Sequence, residues 1–531
     1  MTSGKAVRVT SKLPYVIAAV GAVLVVVLSF GVFFSQTTIT NDLSTYLLPA
    51  VARENNLGLV YVDYLDIKPP LIFGLFVPWV AIFGSSLPSM WVLYAVLLLS
   101  LFAAFFIALR QELQPWLAVT VFTFGAIVVV SFSMLEEFFF VTEVVGSAIA
   151  LWALVLARWR GSHLGWLFGA ALLLGAAGQV KDVFLFAPAA LLPIAWVHRS
   201  RFRAMGTLIA GVISAFALTT LLLTWWGDGV LPAYWEVLQL KRGRFPLPTP
   251  TDLLDHATEH AYQLWQWLPW ISIFVIVCAI IIALRVVRQR REQKSSWPSA
   301  HLSVGEWMLL FYFAAAYLGF LWQGSALLKY FALAIVFPAY LFLAVLLRLF
   351  WPPFNEYKPA TRVLVGLLLL VGIAPSFQAI SWAGGRATSL ISPAIVDFIP
   401  SAESENDLAP YDQIRQLAGP ETCLHVAYGF SATTYYLYTK IPPCTRFTLP
   451  PLVTQTPALW QPLSDELTAR PPGILVVDPV LAAFEDADFP YMELAARCYQ
   501  QSPTQPIVYL PRGNVTATRE CILKTVQLSK S

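Results

Sequence analysis

The chain has 531 residues, of which 58% are hydrophobic and 12% are charged, with a net charge of +3 and a mean hydropathy of +0.67. About a quarter of the residues in an ordinary soluble domain are charged, so this composition excludes a soluble globular protein and predicts a polytopic α-helical membrane protein. The sequence contains no HExxH or CxxC pair and no GxGxxG or Walker loop. It therefore gives no reason to expect a metal centre or a soluble nucleotide donor.

Twelve apolar segments follow one another along the chain, and most approach the ~20 residues that cross a bilayer. They are Leu13–Phe34, Pro69–Phe83, Leu87–Leu109, Trp116–Phe132, Val144–Ala157, Leu164–Gly178, Val183–Val197, Met205–Trp226, Pro269–Leu284, Val304–Trp322, Tyr330–Leu347 and Val363–Ala379. The basic clusters between them alternate as the positive-inside rule requires if Pro69–Phe83 does not cross. We therefore expect about eleven spans, a cytoplasmic N-terminus, and a short helix over Pro69–Phe83 at the outer surface.

This topology predicts a transmembrane catalytic domain over residues 1–380 and an extracytoplasmic domain over 381–531. Two loops of the first domain, 35–86 and 227–268, also face outward. The C-terminal region is polar and contains short β-like runs at Cys423–Tyr428, Gly473–Asp478 and Pro506–Arg512, with helical stretches such as Pro410–Gly419 between them. We interpret it as a small α/β domain.

Four of the five cysteines lie in this C-terminal region. Four cysteines in an oxidising space fit two disulfides, for which three connectivities exist. We favour the local pairs Cys423–Cys444 and Cys498–Cys521, and free buried thiols remain the alternative.

The first outer loop places Asp42 just beyond the first span, at the start of a segment with apolar residues at helical spacing. Leu43, Tyr46, Leu47 and Ala50 predict an amphipathic helix that lies on the membrane face. Asp42 could be the general base of a reaction at this surface, or it could only cap the helix.

The stretch "YVDYLDIKPPL" returns the chain to the membrane with Asp63, Asp66 and Lys68 in one short loop. The following Pro69 and Pro70 disfavour helix at Lys68 and keep it extended at headgroup level. A lysine there suits a phosphate group, although a lysine that only reaches toward lipid headgroups is the alternative. We interpret the three residues as the rim of a site for a lipid-linked phosphate.

Further ionisable or aromatic residues are expected on the same side of the membrane: Glu143, Lys181, Arg242, Arg244, Lys329 and Tyr330. Ionisable groups at membrane depth are costly, which makes each of them a functional candidate. Each could instead be an interfacial anchor or part of a helix-end ion pair.

The sequence resembles the bacterial polyprenyl-phosphate-sugar-dependent glycosyltransferases of the GT-C fold. It is most similar to the glycosyltransferase family 39-like proteins, which include protein O-mannosyltransferases and the aminoarabinose transferases that act on lipid A. "NDLSTYLLPA", "LVYVDYLDIKPPL" and "LKYFALAIVFPAYLFLA" carry the resemblance best, and "TEVVGSAIALWALVLAR" and "GQVKDVFLFAPAALL" carry it more loosely.

The resemblance implies an inverting transfer in which Asp42 is the general base on an acceptor hydroxyl. Many family members have Asp-Glu at this place, whereas this chain has Leu43 in the second position, which leaves the class of acceptor open. The family's Lys/His-Pro-Pro element maps to Lys68, with Asp63 and Asp66 beside it, and is expected near the donor phosphate.

Glu143 matches an acidic residue of the family's second outer loop and is expected in the same cavity. Lys329 and Tyr330 match a basic-aromatic element before a late span. Lys68, Arg242, Arg244 and Lys329 would offset charge on the departing phosphate.

The implied partners are a polyprenyl-phosphate sugar donor, a hydroxyl acceptor on a glycan, lipid or protein, and membrane lipids. No nucleic acid and no cofactor are expected, and a divalent metal remains an alternative. The implied location is the inner membrane of a bacterial cell, with the N-terminus in the cytoplasm and the C-terminal domain outside. A transporter or flippase for a lipid-linked glycan, and a catalytically silent glycan-binding scaffold, are the competing interpretations.

Overall fold

The computed structural model describes residues 13–34, 41–66, 68–135, 141–160, 163–244, 248–267, 303–323, 336–345, 405–427, 432–448, 459–477 and 490–529. The chain divides into two compact units. The first contains Met1–Phe33, Tyr94–Phe216 and Pro248–Val396, and the second contains Phe34–Leu93, Ala217–Leu247 and Asp397–Ser531.

The predicted spans Pro269–Leu284 and Val363–Ala379 lie outside the described residues. Within those residues, the helices of the first two-thirds of the chain follow the apolar pattern of the sequence closely. They are α1 (Leu13–Phe34), α2 (Asn41–Glu54), α3 (Leu71–Phe83), α4 (Leu87–Glu112), α5 (Pro115–Leu135), α6 (Val141–Arg160), α7 (Leu164–Val180), α8 (Leu192–Val197), α9 (Arg201–Trp226), α10 (Val230–Arg244), α11 (Pro250–Trp267), α12 (Val304–Gln323) and α13 (Val336–Val345). Within the described residues, four stretches are long and apolar enough to cross a membrane: Leu87–Glu112, Thr142–Trp159, Arg201–Trp226 and Val304–Trp322.

Two apolar segments differ from plain spans. Helix α3 has only 13 residues, fewer than the ~20 that cross a bilayer, and its place at the outer surface stays a prediction. The segment predicted over Val183–Val197 is not one helix. It consists of the short 3₁₀ turns Asp182–Phe184 and Ala187–Leu191 followed by α8, and Pro188 and Pro193 each stand at the start of a new turn.

The first unit is a helical core built on apolar and aromatic contacts. The ring of Phe105 on α4 packs edge-on against Phe337 on α13 with centroids 5.0 Å apart. Helix α12 crosses the 3₁₀ segment at Gly319, where any Cβ would collide with the carbonyl oxygen of Val183. Only glycine permits this close approach.

The second unit contains a four-stranded sheet with the order β1-β2-β4-β3. Its strands are β1 (Leu424–Val426), β2 (Ile474–Val476), β3 (Tyr499–Gln501) and β4 (Val508–Pro511). Strands β1 and β2 are parallel, and β4 is antiparallel to both β2 and β3. Three of these strands lie inside the predicted runs, whereas β3 has no counterpart among them.

In the described part of this region, the helices α14 (Glu405–Leu417), α15 (Ala432–Thr439), α16 (Trp460–Ala469), α17 (Tyr491–Cys498) and α18 (Val515–Ser529) accompany the sheet. Disulfides join Cys423 to Cys444 and Cys498 to Cys521, the two local pairs favoured from the sequence. Each closes a loop of just over twenty residues, which by loop entropy stabilises the fold by about 3 kcal/mol.

The apolar core of this unit also includes residues from segment 35–86, which the sequence predicts to be the first outer loop. The shared cluster consists of Leu48, Ala52, Tyr64, Ile414, Leu424, Val426, Ala432, Tyr436, Ile441, Ile474, Val476 and Val508. The C-terminal region and the predicted first outer loop therefore fold around one core, although Tyr64 and Ile414, the members nearest in sequence, are 350 residues apart.

Candidate active site

Helix α2 carries the proposed base. It begins at Asn41 and places Asp42 in its first turn, where a negative charge interacts favourably with the helix dipole. The side chains of Asn41 and Asp42 lie outside the described atoms. The position of Asp42 is therefore defined by the helix itself, one turn before Tyr46.

The prediction that α2 rests one face on the membrane needs correction. The helix forms where predicted, but its side chains from Leu43 to Ala52 are buried on every face. Its polar side is covered by α15, where the Ser44 hydroxyl lies 2.5 Å from the hydroxyl of Thr433 and 3.3 Å from that of Thr434. The hydroxyl groups of the two helices satisfy one another, so protein covers the polar side of this helix.

Hydrogen bonds within the loop after α2 fix its conformation. Tyr61 adopts a positive φ of 67°, and its amide donates to the carbonyl of Tyr64 at 2.8 Å. The carboxylate of Asp63 accepts a hydrogen bond from the Leu59 amide at 2.7 Å. Asp63 thus stabilises a tight turn, in the manner common for aspartate side chains in loops.

Asp66 and Lys68 form a pair inside this loop. One carboxylate oxygen of Asp66 accepts the Lys68 amide at 2.9 Å, and the other lies 3.5 Å from the Lys68 Nζ. The Tyr61 hydroxyl donates to the Lys68 carbonyl at 2.7 Å. The backbone of Lys68 is therefore fixed on both sides before Pro69 and Pro70 turn the chain into α3.

The ammonium of Lys68 lies against α2. Its Nζ is 5.0 Å from the centre of the Tyr46 ring, a distance at which a cation interacts with an aromatic face. Because Tyr46 follows Asp42 by one helical turn, this contact brings the cation of the loop to the first turns of the helix that carries Asp42. Tyr46 was not singled out in the sequence, where it counted only as one apolar position of the helix.

Arg446 joins three parts of the second unit and was also not singled out. Its guanidinium makes two 2.8 Å hydrogen bonds to the carboxylate of Glu236 on α10 and lies 3.0 Å from the carboxylate of Glu466 on α16. Its carbonyl accepts the Leu65 amide at 2.7 Å, one residue before Asp66.

The charges at this junction depend on one another. The hydrogen bonds that Arg446 donates to Glu236 raise the pKa of Arg446, whereas burial raises the pKa of Glu466 against the lowering effect of Arg446. A single basic residue among the polar residues of a long domain carries no pattern that would distinguish it in sequence.

Two further candidates lie together in the first unit. Lys181, at the end of α7, is 2.9 Å from the carboxylate of Glu143 in the first turn of α6. The Thr142 hydroxyl donates to the same carboxylate at 2.6 Å. Both side chains are largely buried, and the pair satisfies the expectation that charges at membrane depth are paired.

The remaining candidates lie outside the described atoms. Arg242 and Arg244 belong to the last turn of α10, but their side chains are not described, and Lys329 and Tyr330 lie outside the described residues. Within the described part of the chain, no three His, Cys, Asp or Glu side chains come together in a way that could hold a metal ion.

Comparison with known proteins bears on the fold. No protein-family model matches the chain, and no curated protein matches it in sequence. The crystal structure of the apo oligosaccharyltransferase of Archaeoglobus fulgidus is similar with a TM-score of 0.51 and 13% identity, over 94% of this chain and 75% of that one. The apo crystal structure of ArnT from Cupriavidus metallidurans is similar with a TM-score of 0.50 and 13% identity, over 93% of this chain and 98% of that one.

Both of these proteins are GT-C glycosyltransferases, and the chain has the GT-C membrane-protein fold that its sequence resemblance implied. At 13% identity the likeness defines the fold, and the chemistry must be argued from the residues of the site.

Proposed function

We propose that the protein is an inverting glycosyltransferase that moves a sugar from a polyprenyl-phosphate donor to an acceptor hydroxyl at the outer face of the membrane. The observation that carries the proposal is the contact between Lys68 and Tyr46, which brings a cation to the helix of Asp42. A base and a phosphate-binding cation at one place are the two groups that such a displacement needs.

In this mechanism Asp42 accepts the proton of the acceptor hydroxyl as its oxygen attacks the anomeric carbon. The bond between that carbon and the donor phosphate breaks at the same time, and the phosphate leaves with the electron pair. Lys68 stabilises the negative charge that develops on the leaving phosphate. The rigid loop around Lys68 matters because an ammonium placed in advance costs no reorganisation during the reaction.

The other residues receive supporting roles. Asp66 holds the ammonium of Lys68 through the 3.5 Å contact, and Asp63 holds the turn that precedes it. Glu143 with Lys181, and Arg242, Arg244, Lys329 and Tyr330, stay proposed members of the donor site. The mechanism calls for no cofactor.

The proposal is tested with purified protein in lipid nanodiscs, radiolabelled polyprenyl-phosphate sugars and a cell-envelope extract as a source of acceptors. Wild type is compared with Asp42→Asn, and Asp465→Asn serves as the matched control because Asp465 is an exposed aspartate on α16. We expect Asp42→Asn to lower transfer by about a hundredfold or more while donor binding is retained. Equal turnover in Asp42→Asn and wild type would make Asp42 a helix cap and reject the assignment.

A further inference from the structure

The last turn of α2 carries an arginine that lies on an exposed indole. The guanidinium carbon of Arg53 is 4.7 Å from the centre of the Trp225 ring, near the end of α9. Trp225 is 69% exposed, although tryptophan is among the side chains that gain most from burial. The pair thus presents a cation and an aromatic face at the surface of the second unit.

The guanidinium of Arg53 lacks an anion within the described residues. Its Nη1 atom is buried and has no hydrogen-bond acceptor there, and no described carboxylate lies within ion-pair distance of it. A buried N–H group without an acceptor costs free energy. The ring of Trp225 compensates for part of this cost, but it cannot accept the N–H groups as an oxygen does.

The location of Arg53 and Trp225 indicates which kind of anion could bind there. Helix α9 is long and apolar enough to cross a membrane, with Arg201 and Arg203 at its first turn and Trp225 at its opposite end. Tryptophan at the end of a span marks the level of the lipid headgroups. Leu218 and Leu221, about two turns and one turn before Trp225, are also more than half exposed, so an apolar stripe leads along the helix to the pair.

We propose that Arg53 and Trp225 form a binding site for the phosphate of an anionic glycerophospholipid. The N–H groups of the Arg53 guanidinium other than the buried Nη1 donate to the phosphate oxygens, the indole packs beside the glycerol backbone, and one acyl chain follows Leu218 and Leu221. The exposed stripe favours a lipid over a free phosphate because it offers contact only to hydrocarbon. A net negative headgroup suits the site better than a zwitterionic one, which brings its own cation.

The site is tested by native mass spectrometry of the full-length protein in detergent, titrated separately with phosphatidylglycerol, phosphatidylcholine and a polyprenyl phosphate. We expect Arg53→Gln to weaken phosphatidylglycerol binding about tenfold, the effect of losing a charge-assisted hydrogen bond. Arg415→Gln is the matched control because Arg415 is an exposed arginine on α14 and its substitution removes the same charge. It should bind phosphatidylglycerol like wild type.

A second variant keeps the test decisive if Arg53→Gln folds poorly. Trp225→Leu alters a side chain that is mostly exposed, so it creates no cavity, and it should also weaken phosphatidylglycerol binding. Unchanged binding in both variants would overturn the proposal. A loss confined to the polyprenyl phosphate would overturn it as well, because the site would then belong to a lipid-linked sugar donor.

Discussion

Lys68 shows how one short loop combines a chemical group with the means to fix it. The sequence singled out Lys68 together with the carboxylates of Asp63 and Asp66, and in the structure these two carboxylates have different hydrogen-bond partners. Asp63 binds the Leu59 amide, and Asp66 binds both the amide and the ammonium of Lys68. The sequence could not assign these partners, because the direction of each carboxylate follows from the path of the backbone around the positive φ of Tyr61.

Substitution of Lys68 should affect the donor more than the acceptor. We expect Lys68→Gln to lower kcat/KM for a polyprenyl-phosphate sugar by about tenfold to a hundredfold, since it removes a charge-assisted contact to the phosphate. The loop should remain intact because the backbone contacts of Lys68 to Asp66 and Tyr61 do not involve the ammonium. Lys68→Arg should retain more activity than Lys68→Gln.

Steady-state kinetics at varied donor concentration measure this effect. Lys524→Gln, which removes a charge from an exposed position of α18, is the control and should leave the kinetics unchanged. Equal kcat/KM in Lys68→Gln and wild type would show that Lys68 only anchors the loop.

His425 makes the second unit sensitive to acid. It is fully buried on β1, where its Nε2 lies 3.1 Å from the Tyr491 hydroxyl, and burial lowers the pKa of His425 to about 3. Between about pH 6.5 and about pH 3 the unfolded chain binds a proton at this residue that the folded chain does not. Stability should therefore fall as the pH falls through this range, by at most about 1.4 kcal/mol per pH unit.

The dependence is measured as the change in melting temperature between about pH 7.5 and about pH 5. His425→Gln cannot titrate and should lose less stability over this range than wild type does. His163→Gln alters an exposed histidine before α7 and should behave as wild type. The same acid sensitivity in His425→Gln and wild type would contradict this account.

At the scale of elements, the sequence predicted what local patterns determine and missed what distant contacts determine. The short length of α3 and the positions of three strands followed from apolar runs, prolines and charge. The full burial of α2 could not be predicted in this way. The hydroxyls that cover its polar side belong to α15, and Ser44 and Thr433, which are in contact, are 389 residues apart in sequence. A pattern with a polar face is the same whether water, lipid or another helix covers that face.

Arg446 in the C-terminal region pairs with Glu236 on α10, and this ion pair should contribute measurably to the free energy of unfolding. We expect Arg446→Met and Glu236→Gln each to lower the melting temperature, and the double variant to lose less than the sum of the two. The expected coupling is about 1 kcal/mol, since the contact is bidentate but partly exposed.

The exposed pair of Arg415 and Asp412 on α14 is the control cycle, for which we expect a coupling of about 0.5 kcal/mol or less. Strictly additive losses at Arg446 and Glu236 would show that the two residues act independently.

At the scale of the whole molecule, the second unit contains segments that the sequence grouped only by their predicted side of the membrane. The first outer loop contacts the C-terminal region through Ser44 with Thr433 and through Leu65 with Arg446. The second outer loop contacts it through Glu236. Segments in direct contact lie on one side of any membrane that the apolar helices cross, which supports the proposed grouping of the three outward parts. Composition and apolar runs sufficed to predict a polytopic helical membrane protein, and the resemblance of short motifs to a known family implied the GT-C fold. The contacts within the second unit could not be predicted in this way, because they join residues far apart in the chain.

The proposed orientation leads to a labelling pattern that the structure makes specific. Glu54→Cys in the first outer loop, Trp235→Cys on α10 and Lys440→Cys after α15 replace exposed residues of the second unit. Each should react with a membrane-impermeant maleimide in intact host cells. Arg199→Cys lies in the basic turn before α9, a helix that is long and apolar enough to cross a membrane. In the proposed orientation this turn is cytoplasmic, so Arg199→Cys should react only after permeabilisation. Labelling of Arg199→Cys in intact cells, with protection of the other three, would reverse the orientation and place the Lys68 loop on the cytoplasmic side.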